Sequence, residues 1–121
     1  MKYTFLGEND SLVYLESEDI LISDSQSALD LMMTVIYEKD CSRIILDKKV
    51  ISEEFFRLSS GIAGDVLQKF INYHTKLAII GDFSKYTSKP LHDFIYECNK
   101  GNDIFFVDNL DQAVEKLTLA Y

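Results

Sequence analysis

Three aspartates, Asp47, Asp82 and Asp108, each close a short apolar run, and Ser59, Ser60, Ser84 and Lys85 fall at the same kind of junction. Carboxylates converging from neighbouring strands are the hard oxygen ligands that Mg²⁺ shares with substrate phosphates, so phosphate handling is one chemistry this set permits. Aspartate also commonly starts turns, which gives the same residues a structural reading. Ser59-Ser60-Gly61 stands where a helix should begin. Free N–H groups and the positive dipole end suit an anion there, and a serine hydroxyl is either a cap or a switch open to modification. Gly64, one turn further on, costs about 1 kcal/mol relative to Ala inside a helix, which points to close packing of that helix on a sheet. No catalytic residues are assigned. His74 and His92 have no nucleophile in a recognisable motif, Ser60 lacks a G-x-S-x-G elbow, and neither a P-loop nor a GxGxxG is present. Cys41 and Cys98 are far apart without CxxC spacing, so no metal, cofactor or disulfide is expected.

The elements that must position these residues can be read in turn. Lys2–Leu6 and Ser11–Leu15 are β-prone runs around Gly7-Glu8-Asn9-Asp10, which predicts a hairpin. Ile20–Ile22 gives a brief extended segment. Ser23 and Gln26 have capping-box spacing before a helix striped by Ala28, Leu31, Met32, Val35 and Ile36. Arg43–Asp47 reads as a buried parallel strand, and Ser52-Glu53-Glu54 opens a short helical turn carrying Phe55 and Phe56. Ile62, Val66, Leu67, Phe70 and Ile71 mark the next helix, and Asn72-Tyr73 is expected to tie its end to the strand Leu77–Ile80. Phe83–Thr87 reads as a polar loop. Ser88 caps a third helix with Pro90 in its first turn and Gly101 at its end, Ile104–Val107 is a last strand, and Asn109 with Gln112 begins a final helix.

Alternation of strand and helix after a hairpin predicts an α/β fold: one domain over residues 1–121, with a mostly parallel, mixed sheet of four to five strands and helices packed against it. Ligands in such sheets gather at the carboxyl ends of the strands, where the three aspartates fall. The strands ending at Asp47, Asp82 and Asp108 are expected to be parallel neighbours.

The bulk properties exclude several partners. Net charge is −8; residues 1–47 carry three Lys/Arg against ten Asp/Glu, and residues 48–121 nine against ten. Nucleic acid needs a basic stripe that no segment supplies. An acidic half gives solubility, or a surface for a basic partner protein. No apolar run approaches the roughly 20 residues of a membrane span and no signal-peptide core is evident, so no membrane partner and a cytoplasmic location are expected.

Two resemblances attach to particular residues. The run from Phe55 to Val107 carries Phe-Phe, Leu58-Ser-Ser-Gly-Ile-Ala-Gly64, a Leu-Gln-Lys-Phe helix, Asn72-Tyr73, Gly81-Asp82-Phe83 and Glu97-x-Asn-x-Gly101, and it resembles the domain-of-unknown-function family 4180. That family implies relatedness and no activity. More distantly, the order of elements is similar to the sulfate-transporter and anti-sigma-factor-antagonist domains, usually called STAS. In those domains a strand ending Leu-Asp is followed by Asp-Ser-Ser-Gly at a helix start; here the strand ends Leu46-Asp47 and the turn is Ser59-Ser60-Gly61, with Leu58 in place of the aspartate. The likeness implies a STAS-like regulatory or protein-interaction module with Ser60 as a switch residue. The switch or binding set is then Ser59, Ser60, Gly61, Gly64, Asp82, Ser84 and Lys85. Its expected occupant is a protein partner, with self-association as a homo-oligomer a further expectation. The alternative is a small-molecule or Mg-dependent phosphate-handling protein using the strand-end aspartates.

Overall fold

The computed structural model describes residues 1–120. Two strands, β1 (Lys2–Leu6) and β2 (Leu12–Glu16), form the antiparallel hairpin, with Tyr3 opposite Leu15 and Phe5 opposite Val13. Gly7 begins its turn at φ +78°, a left-handed conformation that favours glycine. The chain then runs α1 (Ser25–Lys39), β3 (Arg43–Asp47), α2 (Glu53–Phe56), α3 (Ile62–Asn72), β4 (Lys76–Ile80), α4 (Lys89–Lys100), β5 (Ile104–Val107) and α5 (Leu110–Leu119). A 3₁₀ turn at Lys48–Val50 precedes α2, and another at Leu58–Ser60 follows it.

The sheet order is β1-β2-β3-β4-β5, parallel at every pairing except the first. The three strands leading to Asp47, Asp82 and Asp108 are therefore parallel neighbours, as the sequence predicts. A sheet that adds each parallel strand on the same side, through right-handed crossovers, must place every crossover helix on one face. That face buries Val13, Leu15, Ile44, Leu46, Leu77, Ile79, Ile104 and Phe106 under Met32 and Val35 of α1, Phe55 and Phe56 of α2, Val66 and Phe70 of α3, and Leu91 of α4. Among the described residues only α5 crosses to the other face, where Ala113 and Leu117 cover Ile45, Ala78, Phe105 and Val107. Arg43 ties its end down, donating to the carbonyls of Leu117 and Ala120. Among the described residues no helix is long and apolar enough to cross a membrane.

Local capping differs in one place from the sequence expectation. The box that opens α1 is made by Asp24 and Ser27, not Ser23 and Gln26: Ser27 N–H donates to Asp24 Oδ1 at 2.8 Å, and Asp24 N–H donates to Ser27 Oγ at 3.1 Å. Gln26 instead donates to Asp30 one turn on. Ser88 and Asn109 cap α4 and α5 as expected, accepting from Leu91 and Gln112.

The two edges of the sheet are finished differently. At β5 the Asn99 side chain takes the outward backbone groups of one residue, accepting from Phe106 N–H at 2.7 Å and donating to the Phe106 carbonyl at 3.2 Å. Among the described residues no strand pairs on the outer side of β1.

Candidate functional site

The connection from β3 and the connection from β4 meet above the carboxyl end of the sheet. Asp47 and Ile80 are register partners at the ends of β3 and β4, so Lys48 and Gly81 emerge side by side. The backbones are close enough that a Cβ on Gly81 would lie 2.8 Å from Lys48 Cβ, which is why glycine follows this strand. Lys48 reaches the Glu53 carboxylate at the start of α2, five residues on in the same connection.

Three side chains from two connections close a network there. Lys48 Nζ is 2.9 Å from Glu53 Oε1, and the Tyr86 hydroxyl donates to Glu53 Oε2 at 2.9 Å. Phe56 stacks on Tyr86 with centroids 5.3 Å apart and planes 14° off parallel, and the Lys48 ammonium lies 5.3 Å and 5.1 Å from the two ring centroids. Burial opposes the Lys48 charge, but hydrogen bonding to Tyr86 and Glu53 outweighs it and holds the ammonium above its ordinary range. The Lys48 hydrogen bond in turn holds the Glu53 carboxyl below the usual carboxylate range, against its desolvation. Burial raises the Tyr86 phenol. The network is thus a fixed ion pair, with lysine charged, carboxylate ionised and phenol protonated, resting on aromatic faces.

Beside it runs an open groove of about 690 Å³, with Phe56, Leu58, Tyr86, Pro90 and Leu91 giving it an apolar floor. Arg57, Lys85 and Ser59 stand on its rim. Arg57 is shared, with Nη2 on the Glu54 carboxylate and Nη1 donating to Ser59 Oγ at 3.3 Å. Lys85 sits over the outer part of the Tyr86 ring at 5.5 Å. A second, shallower hollow of about 660 Å³ on the other side of Lys85 is bounded by Asp47, Lys48, Lys49, Ile80, Gly81 and Asp82.

The residues singled out from the sequence divide between these places. Ser59 and Lys85 share the first groove, and Asp82 and Lys85 share the second. Ser60 lines neither; its hydroxyl donates to the Glu54 carbonyl at 2.8 Å and accepts from Ile62 N–H at 3.2 Å, fastening α2 to the start of α3. The cap residue of α3 is Gly61, at φ +80°, rather than either serine. Gly64 has open space where a Cβ would go, so the close packing expected of it is absent; the helix meets the core through Ala63, Val66 and Phe70 instead. Asn72 accepts from Gln68 on its own helix, and the link to β4 is made by backbone, Thr75 N–H donating to the Phe70 carbonyl.

The aspartates are individually occupied. Asp47 accepts from the Tyr14 hydroxyl at 2.7 Å. Asp82 Oδ1 accepts from the Ser84 hydroxyl at 2.6 Å and from Ser84 N–H at 3.0 Å, which lowers its carboxyl below the ordinary range and folds the loop into an Asx turn. Asp108 offers its N–H to Gln112. Among the described residues no three His, Cys, Asp or Glu gather as a metal site. Cys41 and Cys98 are buried and unpaired, and desolvation pushes the Cys98 thiol up to about 11.

Sequence reasoning missed Lys48, Glu53, Phe56 and Tyr86 as a unit. The available signal was Phe83 and Tyr86, two aromatics in an otherwise polar loop: Phe83 packs edge-on to Phe106 at 5.3 Å, and Tyr86 lies on Phe56. With that geometry in place, the family model described as Domain of unknown function (DUF4180) matches residues 7–117. No curated protein and no solved structure matches the chain.

Proposed function

The chain belongs to the family of that description, and from this premise we propose that it is a STAS-like regulatory module that binds a partner protein at the carboxyl end of its sheet. The observation that carries the reading is the open apolar groove of Phe56, Leu58, Tyr86 and Pro90 with two cations, Arg57 and Lys85, on its rim. Arg57 is paired with Glu54, and Glu53, which also lines the groove, is paired with Lys48, so Lys85 is the rim cation open to a partner's carboxylate. It favours a partner segment with an apolar anchor flanked by carboxylates, and the surrounding negative field fixes how that segment is oriented. The Lys48–Glu53–Tyr86 network keeps the floor rigid, so little ordering cost falls on binding.

The serine turn is the regulatory element in this reading. Ser59 is exposed on the groove rim beside Arg57, where a phosphate would compete with Glu54 for the guanidinium and reverse the charge that meets the partner. A charge on Ser60 would act by another route, releasing Glu54 O and Ile62 N–H and loosening the turn itself.

The test is selection from a random peptide library on wild-type protein, followed by calorimetric titration of the enriched peptides against wild type and Lys85→Glu. Acidic peptides with a single apolar anchor that lose at least tenfold in affinity on Lys85→Glu support the reading. Peptides that bind both proteins equally refute it. The alternative, a small-molecule or Mg-dependent phosphate-handling protein, draws on the hollow of Asp47, Lys48, Lys49, Asp82 and Lys85. Titration with inorganic phosphate and Mg²⁺ separates the two: heat that disappears in Asp82→Asn favours the phosphate site.

A further inference from the structure

We infer that β1 pairs with β1 of a second copy of the chain, making a two-fold dimer with one continuous ten-stranded sheet. The proposal stands on the sheet edges and is independent of the groove. An unpaired edge offers a row of N–H and C=O groups to any incoming strand, and proteins ordinarily blunt such edges. Here β5 is blunted by Asn99, which takes both the N–H and the C=O of Phe106. At β1 the outer side is left without a strand, and its residues Tyr3, Thr4, Phe5 and Leu6 are only half-buried. A two-fold pairing consumes the open edge of both copies and so closes the pair.

The composition of β1 indicates that the occupant is its own copy. Tyr3-Thr4-Phe5 at its centre places one aromatic on each side of Thr4. An antiparallel pairing with the two-fold axis at Thr4 sets Thr4 against Thr4 of the second copy and each Tyr3 against the other copy's Phe5, an aromatic cross-strand pair on the helix-covered face. On the other face each Leu6 meets the aliphatic stem of Lys2 across the axis. Thr4 pairs with Tyr14 within the hairpin and so shares its face, which no crossover helix covers. A change of side chain at Thr4 therefore leaves the main core untouched.

Sedimentation velocity over a concentration series tests this, with circular dichroism to verify folding of each variant. The wild type is expected at twice the 13.9 kDa chain mass. Thr4→Lys and Thr4→Glu should each place like charges opposite one another at the axis and sediment as folded monomers, and their equimolar mixture should recover the dimer. Lys2→Glu shortens the aliphatic stem that covers Leu6 of the other copy and should shift dissociation to a higher concentration. A wild type that stays monomeric throughout, a Thr4→Lys dimer as stable as wild type, or a mixture that fails to reassociate would each overturn the pairing.

Discussion

The serine turn at Leu58–Ser60 and the Lys48–Glu53–Tyr86 network lie on the same rim, yet they are built from opposite kinds of interaction. In the turn, each hydroxyl is engaged with groups two to six residues away: Ser60 with the Glu54 carbonyl and Ile62 N–H, Ser59 with Arg57. In the network, the Tyr86 hydroxyl reaches a carboxylate 33 residues earlier in the chain, and the stack of Tyr86 on Phe56 joins the two crossovers. The turn therefore fixes local backbone, while the network fixes how the β3 and β4 connections sit against each other. A groove that must keep its shape depends on the second kind of contact.

The largest separation between the two regions is expected from Phe56→Ala. Phe56 is 3% exposed, lies on Tyr86 and packs edge-on to Phe55 at 5.0 Å. Its truncation should cost about 3–5 kcal/mol in urea unfolding, whereas Ser59→Ala, at an exposed hydroxyl, should stay within about 0.5 kcal/mol. Equal losses would mean that the network carries no more of the rim than the turn does.

Two glycines sharpen the same contrast. Gly81→Ala drives a Cβ to 2.8 Å from Lys48 Cβ, near the root of that side chain, and should destabilise by about 1–3 kcal/mol as the two connections are pushed apart. Gly64→Ala enters open space inside α3 and should stabilise by up to about 1 kcal/mol through helix propensity. Thermal melts of the two variants should move in opposite directions. Ser60→Ala comes next in size: it deletes two hydrogen bonds of a half-buried hydroxyl and should cost about 0.5–1.5 kcal/mol.

The smallest effect is expected from pH. Glu53 has its folded-state pKa depressed below 4.5, first by the Lys48 hydrogen bond and then by Tyr86. Its contribution is present above the unfolded value and lost as pH falls through the folded one, because the unfolded chain then binds the proton more tightly. The Glu53 side chain is 66% exposed, so solvent screening limits the effect to below about 1 kcal/mol. Glu53→Gln should flatten the stability profile between about pH 5 and pH 3 while leaving its neutral-pH slope unchanged. An unchanged acid limb would show that the pair contributes nothing to folding.

How much of this was legible beforehand follows from distance along the chain. The hairpin, the three parallel strands and the starts of α4 and α5 are set by apolar period and by caps that span three residues, as with Ser88 and Leu91, and all were readable. The α1 cap was misread by one position because Ser23, Asp24, Gln26 and Ser27 all have suitable side chains, and only geometry separates them. Gly64 was misread because helix propensity signals a cost without saying whether a neighbour causes it. Ser59, Asp82 and Lys85 lie beyond the carboxyl ends of the strands, a placement readable because strand ends are visible in sequence. Lys48, Glu53, Phe56 and Tyr86 were not seen as one network, and neither was Asn99 as the seal of β5, because each depends on which loop or helix faces which strand.

The central claim is that the groove beside the network, and not the serine turn alone, is the contact surface. Its most direct measurement is the amide chemical-shift map of ¹⁵N-labelled protein titrated with the tightest peptide from the library selection. The account predicts shifts concentrated at Phe56, Arg57, Leu58, Lys85 and Tyr86, abolished in Lys85→Glu while the spectrum of β1 stays unmoved. Shifts confined to Ser60, Gly61 and the first turn of α3, or spread over β1 and α5 with the groove silent, would contradict it.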